Sequence, residues 1–213
     1  MPLTHRFLLA KHWHIFVLTF VLPFLLQIGV MISWFASIIS QIATQTEPDF
    51  NALFSFFRFF PVLMIVYTAP HFFWLWSLAI GLQPKVPVQV PMKTRKFKTF
   101  FLFQISYLIL FSVGISVFIS SMSTMIESTE VPNLSVIGVV FVIVFPLHLF
   151  MMFCTIYCMY FAAKTIKTAE LQREVSFGEF IGEFILIWFH VIGVWFIQPQ
   201  VNKLMEPKPK ETN

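Results

Sequence analysis

The sequence predicts an all-α integral membrane protein: four transmembrane helices arranged as two hairpins, followed by a fifth, shorter C-terminal apolar helix. Three observations support this fold class. Hydrophobic residues make up 58% of the 213 residues and charged residues only 11%, whereas a soluble domain carries about 25% charged residues. The mean hydropathy is +0.81. The apolar residues are concentrated in long uncharged runs, so we expect one membrane domain over residues 1–213.

Four runs are long enough to cross a bilayer. The predicted spans are residues 15–39, 60–82, 99–120 and 136–163, and none contains Lys, Arg, Asp or Glu. A hydrocarbon core of about 30 Å requires roughly 20 apolar residues in a helix. Prolines within the runs are compatible with membrane helices, because neighbouring helices can satisfy the backbone groups that proline frees.

The connecting segments differ in charge, which predicts an orientation. Ten basic residues lie before the first span, after the second and after the fourth, whereas Arg58 is the only base in the other two loops, beside acidic residues: Glu47, Asp49, Glu127 and Glu130. Basic residues favour the cytoplasmic side. We therefore expect a cytoplasmic N-terminus in a multi-pass protein of a bacterial inner membrane.

The fifth apolar segment, residues 178–197, is shorter. Its uncharged part, Phe184–Ile197, has 14 residues, a length typical of re-entrant or interfacial helices. We expect such a helix here, with a cytoplasmic tail over 198–213. The alternative is a fifth transmembrane helix, which would place Lys203, Lys208 and Lys210 outside.

Polar side chains within the apolar runs are the first functional candidates, since ionisable groups at membrane depth are costly. Glu179 and Glu183 form a predicted interfacial acidic face that a continuous helix would share with His190. This stripe is interpreted as a wet face, with a proton relay or a metal site as the alternatives. The intramembrane candidates are His71, His148, His190, Gln27 and Gln104.

Small residues at four-residue spacing predict helix-packing seams. One seam is Ser112, Ser116 and Ser120, and the other includes Cys154 and Cys158. His148, Met151 and the two cysteines could alternatively bind Cu(I), but no paired metal-ligand motif supports a metal. We predict no catalytic residue, no cofactor and no nucleic-acid partner. Whether the protein is an enzyme is left open, with the expectation that it is not one.

Residues 161–202 contain an Ala-Lys-Thr exit from the fourth span, a Glu-Leu-Gln-Arg-Glu connector, a Gly-Glu-Phe entry and a Trp-Phe-Ile-Gln-Pro close. This stretch resembles the C-terminal part of small uncharacterised bacterial multi-pass membrane proteins. The resemblance implies a bacterial cytoplasmic membrane and transfers no catalytic residue.

Three functions remain open. The first is a non-enzymatic accessory subunit or oligomeric effector that acts through helix packing and a cytoplasmic amphipathic connector over 164–179, which could contact a protein partner or a second copy. The second is a small transporter or channel with His71 and His148 lining the route, suggested by a proline that precedes each histidine within the span. The third is a membrane enzyme or metal site using Glu179, Glu183 and His190.

Overall fold

The computed structural model describes residues 3–44, 57, 59–128 and 134–206, and every regular element within them is helical. Four helices in these ranges are long and apolar enough to cross a membrane, which confirms the all-α class and the four spans. They are His12–Ala43, Phe60–Lys85, Thr94–Ser121 and Phe141–Leu171. Several residues used for the orientation lie outside the described residues: Glu47, Asp49, Arg58, Glu130, Lys208 and Lys210.

The first two spans are each interrupted by a wider π-helical turn. In the first span, Val17–Val21 separates His12–Phe16 from Leu22–Ala43, and in the second, Ser77–Gly81 follows Phe60–Trp76. Pro23 follows the first of these turns, and because proline has no N–H, the regular ladder cannot continue through it. A short 3₁₀ turn, Gln83–Lys85, ends the second span.

The third and fourth helices extend beyond their predicted apolar runs. They cover Thr94–Ser128 and Leu134–Leu171, and each contains basic residues at the end where the 86–93 connector and the C-terminus lie. Hydropathy defines only the apolar centre, whereas the backbone ladder continues through the lysines, whose long stems can hold the charge in water. The first span packs on the second, the second on the third, and the third on the fourth.

The fifth segment is two helices rather than the predicted single helix. Phe177–Trp188 and His190–Met205 are separated at Phe189 (φ −89°, ψ 54°) and pack against each other. The two helices cross so closely that a Cβ on Gly193 would overlap the Leu186 carbonyl oxygen. Residues 198–205, predicted to belong to the tail, continue the second helix. We call residues 177–205 the C-terminal hairpin.

A short helix that the sequence did not indicate, Leu3–Leu9, packs on the C-terminal hairpin and on the second span at Ser77–Gly81. It approaches Gly81 so closely that a Cβ there would lie 2.8 Å from Leu8 Cδ1. Because Leu3–Leu9 and the C-terminal hairpin pack at the same end of the bundle, this end contains more helices than the four spans alone.

The buried core is confined to that end of the molecule. We call residues 3–21, 71–108 and 151–206 the packed half, and the described residues 22–44, 57, 59–70, 109–128 and 134–150 the open half. Every residue of the main hydrophobic cluster belongs to the packed half, including Leu8, Trp74, Leu78, Phe97, Phe161, Ile166, Ile187, Val194 and Val201. The buried side chains described in the open half are Pro23, Pro61, Leu63, Ser112 and Ile119.

Candidate functional site

A fully buried amide lies at the centre of the packed half. The Gln198 side chain accepts a hydrogen bond from Trp74 Nε1 at 3.0 Å and donates from Nε2 to the carbonyls of Phe7 and Ala10 at 2.9 Å and of Leu8 at 3.2 Å. These carbonyls are left free where the N-terminal helix ends. One side chain thus joins the N-terminal helix, the second span and the C-terminal hairpin.

Asn202 extends this network by one helical turn. Its Nδ2 donates to the carbonyl oxygens of Leu8 at 2.9 Å and of Ala10 at 3.2 Å. The position of these amides follows the apolar period of the helix, because Val194, Ile197 and Val201 on the neighbouring positions are fully buried. We call Trp74, Gln198 and Asn202 the amide hub.

Two histidines meet near the tip of the C-terminal hairpin. The rings of His71, in the second span, and His190, the first residue after the break at Phe189, lie 4.7 Å apart between centroids. His71 is also 6.0 Å from the Trp74 ring, which brings the pair next to the amide hub. His71 Nδ1 is buried and has no hydrogen-bond partner among the described residues.

This imidazole pair is the strongest chemical candidate in the described part of the chain. A buried imidazole nitrogen without a partner carries a free-energy cost, and at membrane depth such groups mark functional sites. Two neighbouring imidazoles can exchange a proton or contribute two ligands to a metal ion. Within the described residues, no three His, Cys, Asp or Glu side chains converge as a ligand set.

The predicted acidic face is divided among other partners. Glu183 pairs with Lys167 at 3.2 Å and lies 3.4 Å from Gln200 Nε2, while Lys167 also pairs with Glu170 at 2.8 Å. Since the helix breaks at Phe189, the common face expected for Glu179, Glu183 and His190 does not form. Glu183 instead links the C-terminal hairpin to the end of the fourth span through Lys167.

Glu179 closes the start of the C-terminal hairpin. It accepts hydrogen bonds from Arg173 and, at 2.8 Å, from the backbone N–H of Ser176, in a capping box whose N-cap is Ser176. The Arg173 guanidinium, with the Ser176 amide second, lowers the pKa of Glu179 to about 2. Glu179 is therefore a charged structural cap at neutral pH.

The connector predicted as a separate amphipathic helix has no such helix of its own. Residues 164–171 are the last turns of the fourth span, and Gln172, with φ 55°, ends that span in the left-handed region. Gln172 also donates to the Lys85 carbonyl at 2.9 Å, and Lys164 pairs with Glu174 at 3.3 Å. The polar groups of this segment thus bind other parts of the same chain.

The remaining intramembrane candidates each find a separate partner. Gln27 accepts a hydrogen bond from Tyr67 at 2.9 Å, which links the first two spans. Gln104 donates to Cys158 Sγ at 3.0 Å. His148 is 3.0 Å from Tyr107 OH, so it belongs to a different cluster from His71.

The two small-residue seams differ in burial. Cys154 and Cys158 are fully buried against the third span and its neighbours, whereas in the serine seam only Ser112 is buried. Ser116 donates back to the Ser112 carbonyl at 2.9 Å, and both Ser116 and Ser120 are exposed. The cysteine seam therefore lies inside the chain and most of the serine seam on its surface.

Sequence reasoning missed the amide hub. The predicted polar tail includes Gln198 and Asn202, because the apolar run ends at Ile197. The signal that could have found them is the continuing period: Val194, Ile197 and Val201 keep one face apolar past that point.

The fold and these polar clusters define an all-helical protein whose four long apolar helices suit a multi-pass position in a membrane. The chain matches no family model, no curated protein and no solved structure.

Proposed function

We propose that this protein is a non-enzymatic multi-pass membrane protein that acts by association, as an accessory subunit or oligomeric effector. The observation that carries the proposal is the state of the first span in the open half. Of Leu22–Ala43, only Pro23 is buried, and Leu25, Ile32, Ile39 and Ile42 are 60–71% exposed. Among the described residues, this helix has few contacts with the other helices.

A groove on that helix supplies a surface suited to another helix. Its volume is about 440 Å³, and it is lined by the exposed small residues Gly29, Ser33 and Ser37 together with Trp34 and Phe59. In lipid, apolar burial alone does not drive helix association, and interfaces depend on small residues that allow close backbone approach. The four-residue spacing puts these three residues on one face.

The charges favour the open half over the connector as the contact surface. Lys164, Lys167 and Arg173 are each paired with a glutamate of the same chain. A protein partner at 164–179 would have to compete with these ion pairs. A partner at the first span would meet the exposed apolar side chains of Leu25, Ile32, Ile39 and Ile42.

The proposed location is a bacterial inner membrane with the N-terminus in the cytoplasm. The support comes from the sequence, in which ten basic residues lie before the first span, after the second and after the fourth, whereas Arg58 is the one base in the other two loops. In this orientation both described termini and the ion pairs of the C-terminal hairpin face the cytoplasm.

The association can be tested by adding one bulky side chain to either face of the first span. Ser33→Phe fills the groove, and Met31→Phe, about 160° away on the same helix, is the matched control. Crosslinking in native membranes and native mass spectrometry in mild detergent give the assembly state. Overpacking costs about 1–3 kcal/mol, so Ser33→Phe should weaken association about 5- to 150-fold.

The control should assemble as the wild type does. A wild-type protein that is monomeric in both measurements, with no co-purifying protein, would overturn the proposal. So would a Ser33→Phe variant that assembles normally.

A transporter or channel is the second candidate, and one observation favours it. His71 lies beside His190 at the tip of the C-terminal hairpin, so these two histidines, rather than His71 and His148, are the pair that would line a route. Proton or ion flux into liposomes that depends on His71 and His190, but not on His148, would support this candidate. Flux that is absent, or unchanged in His71→Phe, would remove it.

A further inference from the structure

An apolar groove runs between the second and third spans. Its volume is about 600 Å³, within the range of small-molecule sites. Ten of its eleven lining side chains are nonpolar, including Phe73, Trp76, Leu102 and Ile109, and the eleventh is Lys98. Phe73, Leu102 and Ile109 are exposed along its edge. A water-soluble ligand would find almost no polar partner inside it.

The length of the groove matches one leaflet of a bilayer. On the third span it follows Lys98, Leu102, Ile105 and Ile109, which lie within about 60° of one helix face. From Lys98 to Ile109 the helix rises about 16 Å. This rise is close to half the thickness of a hydrocarbon core of about 30 Å. An acyl chain starting at Lys98 would therefore end near the bilayer centre.

The mouth of the groove carries uncompensated positive charge. Lys98 and, one turn earlier, Arg95 are exposed, and neither forms an ion pair within the described part of the chain. Lys96 differs, because its Nζ lies over the rings of Phe100 and Tyr157, 5.5 and 5.0 Å from their centroids, on the opposite side of the helix. Arg95 and Lys98, both on the groove side of the third span, are therefore available to a ligand in this groove.

We propose that the groove is a binding site for an anionic phospholipid, with one acyl chain against Trp76 and Ile105 and the phosphate at Arg95 and Lys98. Charge complementarity selects an anionic headgroup over a zwitterionic one, since each basic residue near a membrane surface attracts anionic lipid. The apolar lining selects a hydrocarbon chain. The site lies on the opposite side of the second span from the amide hub and uses none of its residues.

Trp76 makes the site measurable by fluorescence quenching. The full-length protein is reconstituted in nanodiscs containing phosphatidylglycerol or phosphatidylcholine with brominated acyl chains. The difference between wild type and Trp76→Phe isolates the Trp76 signal. We expect brominated phosphatidylglycerol to quench Trp76 at lower mole fraction than brominated phosphatidylcholine.

Two neighbouring lysines provide the matched pair of variants. Lys98→Gln should weaken phosphatidylglycerol binding about fivefold, and Lys96→Gln, two residues away on the other face, should leave it unchanged. Equal quenching by the two lipids, or equal effects of the two substitutions, would overturn the proposal.

A third variant tests acyl-chain binding in the groove independently of charge. Ala69→Phe fills the groove and leaves both cations in place. It should abolish retention of phosphatidylglycerol in native mass spectrometry while the circular dichroism spectrum stays that of the wild type. Retention equal to that of the wild type would show that the lipid binds elsewhere and would overturn the groove as its seat.

Discussion

The packed half and the open half contain similar apolar residues but are held in different ways. In the packed half, Trp74, Gln198 and Asn202 form hydrogen bonds between three separate parts of the chain, and Gly193 allows the closest helix approach. In the open half, the bond from Tyr67 to Gln27 is the interhelical bond described between the first two spans. Lipid solvates apolar side chains as well as a protein core does.

This difference shows what fixes helices to one another in this chain. Leucine and phenylalanine side chains make all four helices suited to a membrane, but they do not determine which helices pack against each other. Close approach and polar contacts determine which helices are neighbours, and the two terminal segments supply those of the amide hub and of Gly193. The packed half should therefore respond strongly to single substitutions, and the open half weakly.

The largest effect is expected at the crossing point of the C-terminal hairpin. In Gly193→Ala the new Cβ would overlap the Leu186 carbonyl oxygen, so the two helices must separate. We expect a loss of at least about 3 kcal/mol in unfolding free energy, measured by circular dichroism in detergent. Gly182→Ala, with nothing within 4 Å, is the control and should be neutral or stabilising, because alanine favours a helix. If Gly193→Ala unfolds like the wild type, the closeness of this crossing is not what holds the C-terminal hairpin.

A pair of identical substitutions tests the comparison directly. Leu78, in the packed half, is fully buried, whereas Leu25, in the open half, is 60% exposed. Leu78→Ala should cost about 2–5 kcal/mol through lost contacts and a cavity. Leu25→Ala should stay within about 0.5 kcal/mol. Chemical denaturation of both variants in the same detergent gives the comparison, and equal losses would contradict the division into halves.

The next largest loss of unfolding free energy is expected at the amide hub. Gln198→Leu keeps the volume but leaves Trp74 Nε1 and the Phe7 carbonyl without this partner, whereas Asn202 still donates to the carbonyls of Leu8 and Ala10. A loss of about 2–3 kcal/mol is expected, with faster amide hydrogen exchange in Leu3–Leu9. Gln200→Leu on the same helix, whose side chain donates hydrogen bonds to Glu170 and Glu183, should leave that exchange unchanged. Unchanged exchange in Gln198→Leu would show that other contacts hold the N-terminal helix.

These expectations also explain which features the sequence could predict. The four spans follow from uncharged runs of at least 20 residues, because transfer to lipid depends on local composition. The helix ends lie further out than predicted, since lysine and arginine at a helix terminus are compatible with the backbone ladder although they end the apolar run. The N-terminal helix, with only seven residues, has no signal of this kind.

The candidate site was harder to predict from the sequence, because it depends on tertiary contacts. The sequence identifies His71, Glu179, Glu183 and His190 as candidates, but their predicted grouping assumes a straight helix through Phe189. The break at this residue turns the chain back, so that His190 meets His71 of the second span while Glu183 meets Lys167 of the fourth. A periodic pattern within one segment contains no information about such partners.

The smallest effect on stability is expected at Glu179, on the surface of the packed half, and this effect should depend on pH. The folded pKa of Glu179, about 2, lies below its ordinary value of 4.5, so ionised Glu179 stabilises the fold above the ordinary value. This stabilisation should be lost as the pH falls from about 4.5 to about 2. Glu179→Gln should therefore lower the melting temperature slightly at neutral pH and match the wild type near pH 2.

The background variant Arg173→Gln separates the ion pair from the cap. Arg173 remains charged throughout this range, since its pKa is raised by Glu179, so it cannot itself produce the acid transition. If the ion pair is the main cause, the effect of Glu179→Gln on the melting temperature at neutral pH should shrink in the Arg173→Gln background. An effect that is unchanged in this background would assign the stabilisation to the Ser176 backbone N–H, and the cap alone would then hold the entry to the C-terminal hairpin.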